Sequence, residues 1–105
     1  MKITDWQTDV HKTAREHGWW DRPRSTGEVL MLMVTELAEA MEAYRVGNPP
    51  SEKIPPFTQL EEELADCLIR MLDFAAAEEL DIEGALAAKA AYNANRPYRH
   101  GNKLA

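Results

Sequence analysis

Apolar residues return every three or four positions in four separate segments of this chain, and no stretch alternates apolar with polar residues long enough to make a half-buried strand. That periodicity confines the chain to an all-α fold. The first segment runs from about Thr4 to His17, with Trp6, Val10, Thr13 and Ala14 at helical spacing and Gly18 as its stop. The second opens at Ser25, which with Glu28 has capping-box spacing, and extends to about Arg45 before Gly47. The third opens on the same spacing at Thr58 and Glu61 and continues to about Glu79; the fourth, with Asp81 as N-cap, ends near Asn95, ahead of Pro97. Between the second and third lies "GNPPSEKIPPF", whose paired prolines make a connecting loop and, by expectation, the most flexible segment. The tail "RPYRHGNKLA" is basic and expected to be extended.

A chain of 105 residues fits one domain, 1–105, and a composition 45% hydrophobic and 29% charged is that of a globular protein able to bury a core. Long apolar helices on so short a chain leave a high ratio of surface to volume, so the bundle is expected to be completed by homo-oligomerisation. The single cysteine, Cys67, offers no internal disulfide and no zinc cluster, which points to a reducing, cytoplasmic setting. A net charge of −6 argues against a nucleic acid polymer as partner, and no apolar run approaches the roughly 18 residues a membrane span requires.

The acids are placed less simply. On the second helix Val29, Leu30, Met33, Val34, Leu37, Ala40, Met41 and Tyr44 gather on one stripe, expected to be core, with Glu36 and Glu39 on its flank. The third repeats the arrangement, with Leu60, Leu64, Cys67, Leu68, Met71, Phe74 and Ala75 on the stripe and Glu63 and Asp66 at its edge. Packed side by side, the two helices would bring four carboxylates together, a costly arrangement without a cation. Hard oxygen ligands favour Mg²⁺ or Mn²⁺. A single Glu-x-x-Glu is usually a solvated face; two pairs on stripe edges are a different matter. Glu42, Glu61 and Glu62 turn further away and read as solvated charge, Asp66 with Arg70 reads as an i,i+4 ion pair, and Asp73 is ambiguous.

The complementary charge lies near the C-terminus. Lys89, Asn93 and Arg96 align two cations and an amide along one helical face suited to phosphate oxygens, or else form a cationic last turn favoured by the helix dipole. Arg99, His100 and Lys103 extend that patch. Trp19 and Trp20 could stack on a base or plug a core or subunit contact; His11 and His17 read as helix-surface residues, and Cys67 as core.

In their order and spacing, Glu36-x-x-Glu39, Glu63-x-x-Asp66 and Lys89-x-x-x-Asn93-x-x-Arg96 resemble the MazG-type all-α nucleoside triphosphate pyrophosphohydrolases, and "YNANRPYRHGNK" resembles the tail of the small single-domain members. The resemblance covers the chain from "GWWDRPRS" nearly to the C-terminus. It implies a four-helix bundle, assembled as a homodimer or homotetramer, that uses Mg²⁺ to hydrolyse a nucleoside triphosphate to the monophosphate and pyrophosphate. It further implies Glu36, Glu39, Glu63 and Asp66 as metal ligands and Lys89, Asn93 and Arg96 in contact with the phosphates or completing the catalytic site; beside it, the chemistry makes Glu36 or Glu39 the acceptor of the water's proton, and the aromatic face makes Trp20 a candidate substrate contact. The alternative, from a different class, is a non-catalytic helical oligomerisation or interaction module in which the acids form a solvated surface.

Overall fold

The structure, a computed structural model, describes residues 1–104 apart from the side chain of His100. Four long helices carry the fold: α1 (Ile3–Glu16), α2 (Thr26–Arg45), α3 (Gln59–Ala77) and α4 (Ile82–Ala94). No strand occurs among the described residues; one isolated bridge joins Pro50 to Thr58.

The caps set where the helices begin. Ser25 Oγ accepts the Glu28 N–H at 3.1 Å, and Asp81 Oδ1 accepts that of Gly84 at 2.9 Å. At α3 the capping box is complete, since Thr58 Oγ1 accepts the Glu61 N–H while Glu61 Oε1 accepts the Thr58 N–H. The Thr58 N–H and the Thr58 hydroxyl, which both donate to Glu61 Oε1 at 3.0 Å, hold the Glu61 carboxyl below its ordinary pKa, the backbone N–H contributing most. Gly18 and Gly47, both at positive φ, stop α1 and α2 with a backbone geometry that costs glycine little. The tail differs from the sequence reading: residues Arg99–Asn102 wind into one short turn of helix, α5, instead of running extended.

Helix α3 is the centre of the fold, packed against α2 on one side and α1 on the other, while α4 rests on α1. The core is a thin seam where Val29 and Met33 meet Cys67, with Trp20 and Phe74 closing over it. Each Val or Met side chain buried there contributes about 1.5–3 kcal/mol.

Only part of each expected core stripe is in that seam. On α2 the buried residues are Val29, Met33, Glu36, Ala40 and Ala43, whereas Leu30, Val34, Leu37, Met41 and Tyr44 lie exposed, Leu37 by 50% and Met41 by 58%. On α3, Leu64, Leu68 and Met71 are likewise exposed. Both helices are apolar over more than one face, and the chain buries the face that carries the acids. The exposed residues repeat at i, i+4, i+7 on both helices and leave a continuous apolar surface without a partner in the monomer.

The proline-rich loop is also unlike its expectation, because it is tied down at several points. Ser51 is buried and its N–H donates to the Phe57 carbonyl at 2.8 Å; the Gln59 N–H donates to the Pro49 carbonyl at 2.9 Å, and Asn48 Oδ1 caps the Leu60 N–H. No helix of the described chain is long and apolar enough to cross a membrane.

Candidate functional site

Residues three apart on a helix share a flank, so Glu36 and Glu39 project from one edge of α2, and Glu63 and Asp66 from one edge of α3. Packing these edges together brings oxygens of Glu36, Glu39 and Glu63 within 4.8 Å of one another. Glu63 belongs as well to a second trio of the same spacing, with Glu62 and Asp66. All four expected ligands line one cavity of about 640 Å³, a size suited to a small-molecule ligand.

The electrostatics record the cost of this convergence. Glu63 is pushed up to about 7, first by burial, then by the closely placed Glu39 and Glu36 carboxyls, whose lone pairs favour its protonated form, and by the charges of Glu39 and Asp66. Asp66 is raised by burial and by the charges of Glu36 and Glu62, against the opposing pull of Lys53 and Arg70. Glu36, 7% exposed, and Glu63 each keep one oxygen, Oε2, shut off from solvent with no hydrogen-bond partner. A buried acceptor left alone is expensive. Several hard oxygens held close together, two of them unpartnered, form a donor set that fits a divalent cation of the Mg²⁺ or Mn²⁺ kind.

Several neighbours sit elsewhere than their sequence positions suggested. Arg70 does not pair along its own helix with Asp66; its Nε donates to Glu36 Oε1 at 2.9 Å, across the α2–α3 seam. A long side chain at the seam reaches an acceptor on the next helix as easily as one on its own. Glu62 is half-buried instead of solvated, and accepts from the Ser51 hydroxyl. His11 is no free surface residue, since its Nδ1 lies 2.7 Å from Asp73 Oδ1. The ambiguous Asp73 is thereby settled as buried, bonded to His11 and to the Trp20 indole N–H, which reaches its two oxygens at 2.9 and 3.1 Å.

Trp20 packs on the core seam with the Arg24 guanidinium over its ring, whereas Trp19 and Trp6 line the cavity. The α4 residues stand apart. Lys89 and, just past the end of the helix, Arg96 lie over the Tyr92 ring of α4, and neither they nor Asn93 line the acidic cavity. Helix α4 has no buried residue and rests on α1.

Sequence reasoning passed over the cations that do line the cavity, Arg24, Lys53 and Arg70. Arg24 and Lys53 belong to loops that carry no periodic signal. Arg70 did have a signal, an apolar-edge position one turn beyond Asp66, which the same-helix reading used up. No protein-family profile, no curated protein and no solved structure matches this chain.

Proposed function

We propose that the chain is a Mg²⁺-dependent nucleoside triphosphate pyrophosphohydrolase of the MazG type, converting the triphosphate and water to the monophosphate and pyrophosphate. The observation that carries this reading is the meeting of Glu36, Glu39 and Glu63 across two helices, two of them with a buried, unpartnered oxygen, at the wall of a ligand-sized cavity. A solvated acidic face has neither property.

Glu36, Glu39, Glu63 and Asp66 would hold the metal, with Mn²⁺ able to replace Mg²⁺. Bound there, the cation supplies positive charge to the phosphate oxygens and makes an attacking water more acidic. The chain's own residues do the rest. Arg70 fixes Glu36 by one oxygen and leaves the other directed into the cluster. Glu39, at the solvent edge, has the freedom to take the proton of the water that attacks the α-phosphorus. The cavity runs along α3, which is antiparallel to α1: Gln7 bonds to Leu80 and His11 to Asp73. Trp6 and Val10 therefore stand over the C-terminal half of α3, where an aromatic and apolar wall suits the nucleoside.

The same reading includes a homo-oligomer. The chain exposes 8049 Å², against about 5,900 Å² for a compact monomer of 11.9 kDa. Its radius of gyration is 16.3 Å, where a compact chain of this length has about 13 Å. Pairing the apolar faces of α2 and α3 with those of a second copy would hide the excess, and that copy would bring the Lys89 and Asn93 of its α4, with the Arg96 that follows, to the phosphates.

The test is pyrophosphate release from a panel of nucleoside triphosphates with Mg²⁺. Glu39→Gln and Asp66→Asn should each lower it by about a hundredfold or more while the helical circular dichroism is unchanged. Full activity in both variants sinks the proposal, and a wild type that neither releases pyrophosphate nor melts higher with Mg²⁺ and a non-hydrolysable nucleotide is the interaction module instead.

A further inference from the structure

The acid cluster faces one cation whose support and whose tip behave in opposite ways. Lys53 lies in the loop between α2 and α3, and its N–H is fixed at 3.2 Å to the Oγ of Ser51. Ser51 is buried, accepts the Ile54 N–H as well at 3.1 Å, and donates its own hydroxyl to Glu62 on α3. The loop is thus pinned to the first turn of α3. Beyond that fixed backbone the Lys53 side chain is 81% exposed, with Nζ 3.8 Å from Glu62 Oε2, a separation that leaves the ammonium mostly solvated. It nonetheless lines the same cavity as Glu36, which is itself more than nine-tenths buried and holds one oxygen without a partner.

Position along the cavity gives the ammonium its task. From Asp73 to Glu62 is about 16 Å along the α3 axis, with Trp6 and Val10 toward the Asp73 end, and Asp66, Glu63 and then the Lys53 that meets Glu62 toward the other. A nucleotide whose nucleoside meets the aromatic wall, and whose α-phosphate lies at the acids, extends its remaining phosphates toward Lys53. We propose that Lys53 binds the terminal phosphates of the substrate, the two that depart as pyrophosphate. This rests on the function proposed above. A flexible stem on a rigid base lets the ammonium follow the phosphates in and release the product.

Isothermal titration with magnesium alone, then with inorganic pyrophosphate in the presence of magnesium, tests the assignment on the full-length chain. Lys53→Met should weaken pyrophosphate binding about tenfold, the worth of one charge-assisted hydrogen bond, and Lys53→Arg should recover most of it. Magnesium alone should bind the variants no less tightly than the wild type. Wild-type pyrophosphate affinity in Lys53→Met overturns the assignment and leaves the metal site standing. Loss of magnesium binding in that variant overturns it too, because the residue would then be supporting the loop. A wild type that binds no magnesium removes the proposed function itself, and this assignment with it.

Discussion

The α2–α3 pair and helix α4 carry charged side chains at equally regular helical spacing, yet the fold treats them differently. Across the α2–α3 seam four carboxylates from two helices line one cavity, and an arginine crosses to meet them. Helix α4 has no buried residue, and its Lys89 and the Arg96 that follows it lie over its own Tyr92. Spacing fixes which residues share a face of a helix. It does not fix what that face meets, which depends on where neighbouring helices bury apolar surface.

The largest expected effect asks whether a second copy supplies what α4 lacks. Glu39→Gln and Lys89→Met chains, each inactive alone, should recover pyrophosphate release when unfolded together and refolded as a mixture, since one site of each mixed dimer then has both an intact acid set and an intact α4. No recovery would place Lys89 with the acids of its own chain and erase the contrast. Leu37→Glu should halve the mass seen by sedimentation equilibrium, because it puts a charge in the centre of the exposed apolar face. An unchanged mass would move the contact elsewhere.

A smaller effect sharpens the account of the seam. Arg70→Met should weaken Mg²⁺ binding by about ten- to a hundredfold in titration calorimetry, since Glu36 then loses the bond that orients it. Unaltered affinity would make that bond incidental. The smallest effect is on stability. In the metal-free protein Glu63 binds protons more tightly than in the unfolded chain, so the folded state holds more protons between the ordinary carboxyl range and about pH 7. Stability from this group is therefore greatest in acid and lost as the pH rises through about 7. The midpoint of thermal melting should fall measurably over that window, and Glu63→Gln should flatten the slope; a midpoint that rises equally in both proteins would contradict the raised pKa.

The legible part of the site was the part written in local spacing. Ser25, Thr58 and Asp81 cap helices at the positions their spacing indicates, and the members of each acid pair, three residues apart, share an edge of their own helix. His11, Trp20 and Asp73 are 53 and 62 positions apart in their pairings, so no window of sequence joins them. Lys53 sits among prolines, with no periodicity to give its direction. The buried faces of α2 and α3 were misjudged because both helices are apolar most of the way round.

The sequence by itself determined an all-α chain, the starts of its helices and the edges on which its acids stand, since capping and amphipathicity are settled within a few residues. Tertiary structure alone decided which apolar face is buried, that Arg70 serves Glu36, that Lys53 lines the acid cavity and that α4 stays apart. Those outcomes turn on side chains from distant segments competing for the same volume and the same hydrogen-bond partners, a contest that no local pattern records.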